Sequence, residues 1–266
     1  MKIEGKVDVL NIKLDDYQRY TDRLINYIYS HDQVSSVYQL GGWSQPGISD
    51  IDLIVVTKEG NFDSLDLSKS NLANTTEEKY MLMHPPFVVP ESVFKHLDVF
   101  FYCSDLKLRK GKSIDIQELE TNFKRDVEYY KIISFLFHTF PRFNGLRNLI
   151  SLRSFLTFAY SLKHTYKLLT NLNPNFENEL IEEYIHQIID LRKESLEYKK
   201  GEKSLIDLTT LVLSGKKSCE IMLSEIHKQI TFYYNIQPSS NNNFYYIKNQ
   251  STVYHFSSKH KHCVTI

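Results

Sequence analysis

A chain of 266 residues is long enough for one large domain or two small ones, and 42% hydrophobic with 24% charged residues is ordinary globular composition. Its 32 basic and 32 acidic residues cancel, so no overall field draws it to a polynucleotide or an anionic membrane. The three cysteines, Cys103, Cys219 and Cys263, are far apart and odd in number and show neither a disulfide framework nor a CxxC metal pair. With no apolar N-terminal stretch and no run of ~18 apolar residues, the expected setting is the cytoplasm, away from any membrane.

Taken in order, residues 14–31 show apolar positions at helical spacing (Leu14, Tyr17, Leu24, Tyr27, Ile28), with Asp15 and Asp16 in the first turn. A short strand is expected over 34–40, then a Gly41-Gly42 turn, then a strand over 51–57. Residues 58–74 read as loop. Three prolines make 83–90 extended, and 96–103 reads as a strand that carries one acid, Asp98. From about 115 the period becomes helical. Ile116, Leu119, Phe123, Val127, Tyr130, Ile133 and Phe137 mark a first helix, with a break at Pro141–Gly145. Leu152 to Leu169 mark a second, Leu180 to Leu191 a third, and 203–235 a fourth, kinked near Gly215. The expectation is an α+β protein. A small mixed sheet flanked by helices (1–110) precedes an all-α bundle (111–238), with the boundary near Arg109–Lys112 and a tail (239–266) that forms a hairpin or is partly disordered.

The chemistry concentrates in residues 40–56. Asp50 and Asp52, one residue apart at the start of a strand, point to the same face about 7 Å apart. Two neighbouring carboxylates repel, and a divalent cation bound by hard oxygen ligands, Mg²⁺ foremost, relieves that repulsion. The glycines upstream let a backbone approach a phosphate closely. The stretch reads as a metal-and-triphosphate site.

Gly41-Gly42, then a short loop, then Ser49-Asp50-Ile51-Asp52-Leu53, with a later acid at Asp98, resembles the DNA polymerase β-like nucleotidyltransferase superfamily. The resemblance covers roughly residues 10–105. The helical second half is similar, in architecture alone, to the two-domain, kanamycin nucleotidyltransferase-like members that act on small molecules. The resemblance implies that Asp50, Asp52 and Asp98 are catalytic and bind two Mg²⁺ ions, with Mn²⁺ as a substitute. It implies that Gly41, Gly42, Trp43, Ser44 and Ser49 form the cofactor side around a nucleoside triphosphate, with ATP foremost. A substrate hydroxyl would then attack the α-phosphorus and release pyrophosphate. The loop departs from the family's pattern: seven residues separate Gly42 from Asp50, and Gly42 stands where serine is commoner, which shifts any hydroxyl contact to Ser44.

Zero net charge favours a small-molecule acceptor and disfavours nucleic acid. A protein or RNA acceptor, or a regulator that binds nucleotide without turnover, are the alternatives. Blander roles compete at single positions. Trp43 can be a packing residue. His84 and His96 read as satisfied or exposed histidines, and His255, His260, His262 and Cys263 as tail residues with poor metal spacing. Arg142, Arg147, Arg153 and Lys163 are candidates to meet the triphosphate. Glu118, Glu120, Asp126 and Glu128 are candidate general bases or simply a solvated face.

Overall fold

The computed structural model describes residues 2–43, 45–58, 65–99, 105–146, 148–195, 197, 205–233, 244–249, 252–257 and 263–265; at 99, at 122 and from 232 onward only the backbone is described. After a short strand β1 (Glu4–Lys6), the helix α1 (Leu14–Tyr29) leads into β2 (Val34–Leu40) and β3 (Asp52–Thr57). Two short helices, α2 (Lys69–Leu72) and α3 (Thr76–Met81), precede β4 (Phe87–Pro90) and the single turn α4 (Glu91–Phe94). Then come a 3₁₀ turn (Leu97–Val99) and β5 (Leu106–Gly111). These strands form one mixed sheet in the order β4-β3-β2-β5, with β3 and β4 parallel and the other neighbours antiparallel.

Alternation along β3 fixes its two faces. Leu53 and Val55 pack with Tyr17, Leu24 and Ile28 of α1, while Ile54 and Val56 pack with Tyr38, Phe94 and Leu97 on the other side. The buried stripe of α1 is Tyr17, Tyr20, Leu24, Ile25 and Ile28, whereas Leu14 and Tyr27, expected in it, are exposed.

The second half holds α5 (Thr121–Gly145), β6 (Leu149–Ser151), α6 (Leu152–Leu172), α7 (Glu179–Glu194), β7 (Leu205–Asp207) and α8 (Thr209–Tyr233). α5 packs on α6 and α8, and α7 packs on the same two, which closes a four-helix arrangement. The architecture is therefore α+β, a small mixed sheet flanked by helices followed by a helical part. β1 pairs with β6 and β7, so the first strand sits with the helical half. The last strands, β8 (Phe244–Asn249), β9 (Thr252–Ser257) and β10 (Cys263–Thr265), form an antiparallel hairpin with a third strand added. Among the described residues no helix is long and apolar enough to cross a membrane.

Several sequence expectations are corrected. α5 runs through Pro141 to Gly145 without a break at the proline. Its buried apolar residues are Val127, Tyr129, Ile132, Leu136 and Phe143, while Phe123, Tyr130 and Phe137 face outward. The helix is apolar on two faces, and of the positions expected from spacing Val127 and Ile133 meet the core whereas Phe123, Tyr130 and Phe137 do not. α8 is one continuous helix, and Gly215 lies inside it because a Cβ there would come within 2.5 Å of the Phe143 ring. Around Asp98 the expected strand is a 3₁₀ turn at 97–99, and residues 100–104 lie outside the described ones.

Candidate active site

The turn between β2 and β3 is built from residues with few alternatives. Gly41 sits at φ +67° and Gly47 at φ 89°, in the left-handed region that favours glycine. The Gly41 N–H donates to the carbonyl of Asp105, which ties the turn to the start of β5. Gly42 is exposed, and a Cβ there would touch nothing within 4 Å.

Residues 45–49 are held by side chains from four helices. The Tyr17 hydroxyl of α1 donates to the Ser49 carbonyl at 2.6 Å and accepts from the Gly47 N–H at 3.2 Å. The Tyr80 hydroxyl of α3 donates to the Gly47 carbonyl at 2.6 Å. From α6, Arg153 donates through Nε to the Ile48 carbonyl (3.2 Å) and through Nη2 to the Ser49 carbonyl (3.1 Å), with its guanidinium 3.6 Å from the centre of the Tyr80 ring. From α7, Arg192 donates to Gln45 Oε1 (2.7 Å) and to the Leu156 carbonyl (3.2 Å), and it lies over the Tyr160 ring. Both arginines are nearly inaccessible, at 6% and 5% exposure, so these are built contacts rather than solvated charges. Ile48 packs into the core of the helical half. The loop before the acids is thus a joint between the two halves.

Asp50 ends this loop and Asp52 opens β3, opposite Leu40. The Ile51 N–H between them donates to the Met81 carbonyl at the end of α3, which brings the following segment alongside. That segment delivers His84, whose Nε2 lies 2.7 Å from Asp52 Oδ1 while its Nδ1 lies 2.8 Å from the Pro85 carbonyl. Asp50, Asp52 and His84 each present one donor atom within 4.8 Å of the others, a grouping able to hold a metal ion. Burial raises Asp50 above the ordinary carboxylate range, the charge of Asp52 adds to this, and His84 and Arg153 pull it back. Hydrogen bonding to Asp52 raises His84 to about 9, against the effect of burial. Burial lowers Arg192.

The expected site residues are distributed as follows. Gly41, Gly42, Asp50 and Asp52 share the β2–β3 turn and its exit. Ser49 contributes its carbonyl to Tyr17 and Arg153, and its side chain is buried. Trp43 lies 5.9 Å from the Tyr17 ring, with the Arg109 guanidinium 6.0 Å from its own ring. Ser44 and Arg147 lie outside the described residues. Asp98 is not part of the metal-capable grouping; its 3₁₀ turn packs through Leu97 against the Ile54 and Val56 face of the sheet, the face to which alternation also assigns Asp52. Arg142, Glu118 and Glu120 are exposed.

In the sequence Tyr17 reads only as an apolar helical position, Tyr80 and Arg192 belong to no motif, and His84 reads as a satisfied or exposed histidine. For Arg192 a signal existed: it falls on the apolar stripe of its helix, eight residues after Tyr184, where a cation needs a reason to be buried.

No protein-family model and no curated protein matches this chain. Among solved structures it is similar to spectinomycin adenyltransferase AAD(9) from Enterococcus faecialis, solved with ATP and spectinomycin. The match covers 81% of this chain and 100% of that one, at 9% identity and a TM-score of 0.44. A likeness so slight carries no function across, and the case for one rests on the site itself.

Proposed function

We propose that this chain is a divalent-metal-dependent nucleotidyltransferase that moves a nucleoside monophosphate, AMP from ATP foremost, to a hydroxyl of a small-molecule acceptor and releases pyrophosphate. One observation carries the reading: two carboxylates one residue apart leave a glycine turn at the mouth of a sheet, with a third metal-capable donor beside them. The donor set fits a divalent cation, because two partly buried carboxylates, the charge of Asp52 raising the proton affinity of Asp50, lie within reach of one ion. Asp50 and Asp52 hold that cation, Mg²⁺ or Mn²⁺, and Asp98 is the carboxylate for a second. When bound, the metal neutralises phosphate charge and stabilises the leaving oxygen.

The protein's own groups do the positioning. The Gly41-Gly42 backbone, free of side-chain bulk, receives the β- and γ-phosphates, with Ser44 as a hydroxyl donor. Trp43, half-buried against Tyr17, is the ring available to stack on the nucleobase. Arg153 and Arg192 hold the loop from behind, and their charges offset the acids. Zero net charge supports a small acceptor over a polynucleotide. The test is pyrophosphate release from each nucleoside triphosphate with Mg²⁺ or Mn²⁺ against a panel of hydroxyl-bearing metabolites and aminoglycosides. The reading expects release with at least one pair, abolished in Asp50→Asn. Absence of release with every pair, and unaltered metal–nucleotide binding in Asp50→Asn, would overturn it.

A further inference from the structure

We infer that His84 is a direct ligand of the cation at Asp50 and Asp52, through Nε2, and that the resulting two-oxygen, one-nitrogen donor set selects Mn²⁺ and later first-row divalent ions over Mg²⁺. The inference rests on the metal reading above and adds a ligand that the carboxylate pair does not predict.

β4 pairs in parallel with β3, Phe87 opposite Ile54, so the sheet that fixes Asp52 also fixes the segment that bears His84. The His84 ring packs on the Phe87 ring with centroids 4.9 Å apart. Pro85 and Pro86 restrict the backbone between them.

A backbone carbonyl only accepts, so the 2.8 Å contact from Nδ1 to the Pro85 oxygen requires a hydrogen on Nδ1. Nε2 is then the nitrogen directed at the acids, 2.7 Å from Asp52 Oδ1. An imidazole whose far N–H is anchored on a main-chain carbonyl, with its other nitrogen aimed at a metal position, has the arrangement metal-binding histidines adopt. Without a cation, the Nε2 hydrogen bonds Asp52. On coordination that hydrogen leaves to solvent and the lone pair takes its place. Mg²⁺ strongly prefers oxygen ligands, whereas transition ions accept imidazole readily, and this decides the selectivity.

The test is pulsed electron paramagnetic resonance of Mn²⁺ bound to the full chain without nucleotide, with protein carrying ordinary or ¹⁵N-labelled histidine. The expected result is a nitrogen coupling that changes isotope with the label and disappears in both His84→Gln and Asp52→Asn. Mn²⁺ affinity should fall by about tenfold or more in His84→Gln, with Mg²⁺ affinity altered much less. If His84→Gln does not fold, the isotope change together with its loss in Asp52→Asn still places a histidine at this centre. Bound Mn²⁺ that needs Asp52 but shows no histidine coupling would overturn the ligand assignment and leave the metal site standing. No bound Mn²⁺ at all would overturn both.

Discussion

Arg153 on α6 donates from Nη2 to the main-chain oxygen of Ser49, 3.1 Å away, and so joins the helical half to the residue just before the acid pair. Its Nε holds the neighbouring Ile48 carbonyl. The placement of Asp50 therefore depends on helices more than a hundred residues further along the chain.

Arg153→Lys tests that dependence. One ammonium cannot reproduce the two directed bonds and the ring contact with Tyr80, and the carbonyls it leaves are buried. The expected loss is about 1–3 kcal/mol of stability, read as a lower urea midpoint at unchanged slope. Weaker nucleotide binding should accompany it, because the loop loses its backing. An unchanged midpoint would show that the contact is incidental.

Two glycines should behave oppositely. Gly215→Ala places a methyl within 2.5 Å of Phe143 and 2.7 Å of the Tyr184 hydroxyl, and should cost about 1–3 kcal/mol of stability through overpacking. Gly42→Ala meets nothing within 4 Å, so thermal stability should stay within about 0.5 kcal/mol of wild type. If the turn receives phosphates, that same substitution should weaken nucleotide binding. Thermal unfolding with and without nucleotide separates the two effects.

The metal-free protein should lose stability as the pH rises above neutrality. His84 binds its proton more tightly in the native state, with its pKa raised to about 9 from 6.5, chiefly by its hydrogen bond to Asp52. Its contribution is complete below pH 6.5 and is lost as the pH climbs through about 9. Asp50, raised by burial, acts in the same sense from lower pH upward. The His84 and Asp52 side chains are 36% and 31% exposed, so solvent screening limits the pair to about 1 kcal/mol or less. Melting temperatures from pH 6 to 9.5 in chelator, compared with His84→Gln, should show a steeper fall in wild type. Parallel curves would contradict the pairing.

The β2–turn–β3 unit was legible because its signals are local: alternating apolar residues, two glycines, two acids. The helices of the second half were legible from their period, and so were most of the buried positions of α6 and α7, with α5 the exception. α5 has two apolar stripes, and only its partners α6 and α8 decide which is covered. Arg153, Arg192, Tyr17 and Tyr80 converge on residues 45–49 from four different helices, and no spacing along the chain encodes that convergence. His84 was visible as a residue but not as a partner, because its place follows from β4 pairing in parallel with β3. β1 could not be assigned to the helical half before β6 and β7 were in view.

The account's central claim is that Asp50 and Asp52 form a metal-dependent nucleotide site. Calorimetric titration with a non-hydrolysable ATP analogue addresses it most directly, in Mn²⁺, in Mg²⁺ and in chelator, for wild type and Asp52→Asn. The account predicts binding that requires the divalent ion and weakens by about tenfold or more in Asp52→Asn, equivalent to about 1.4 kcal/mol. Binding that ignores both the metal and Asp52, or no binding under any of these conditions, would contradict it.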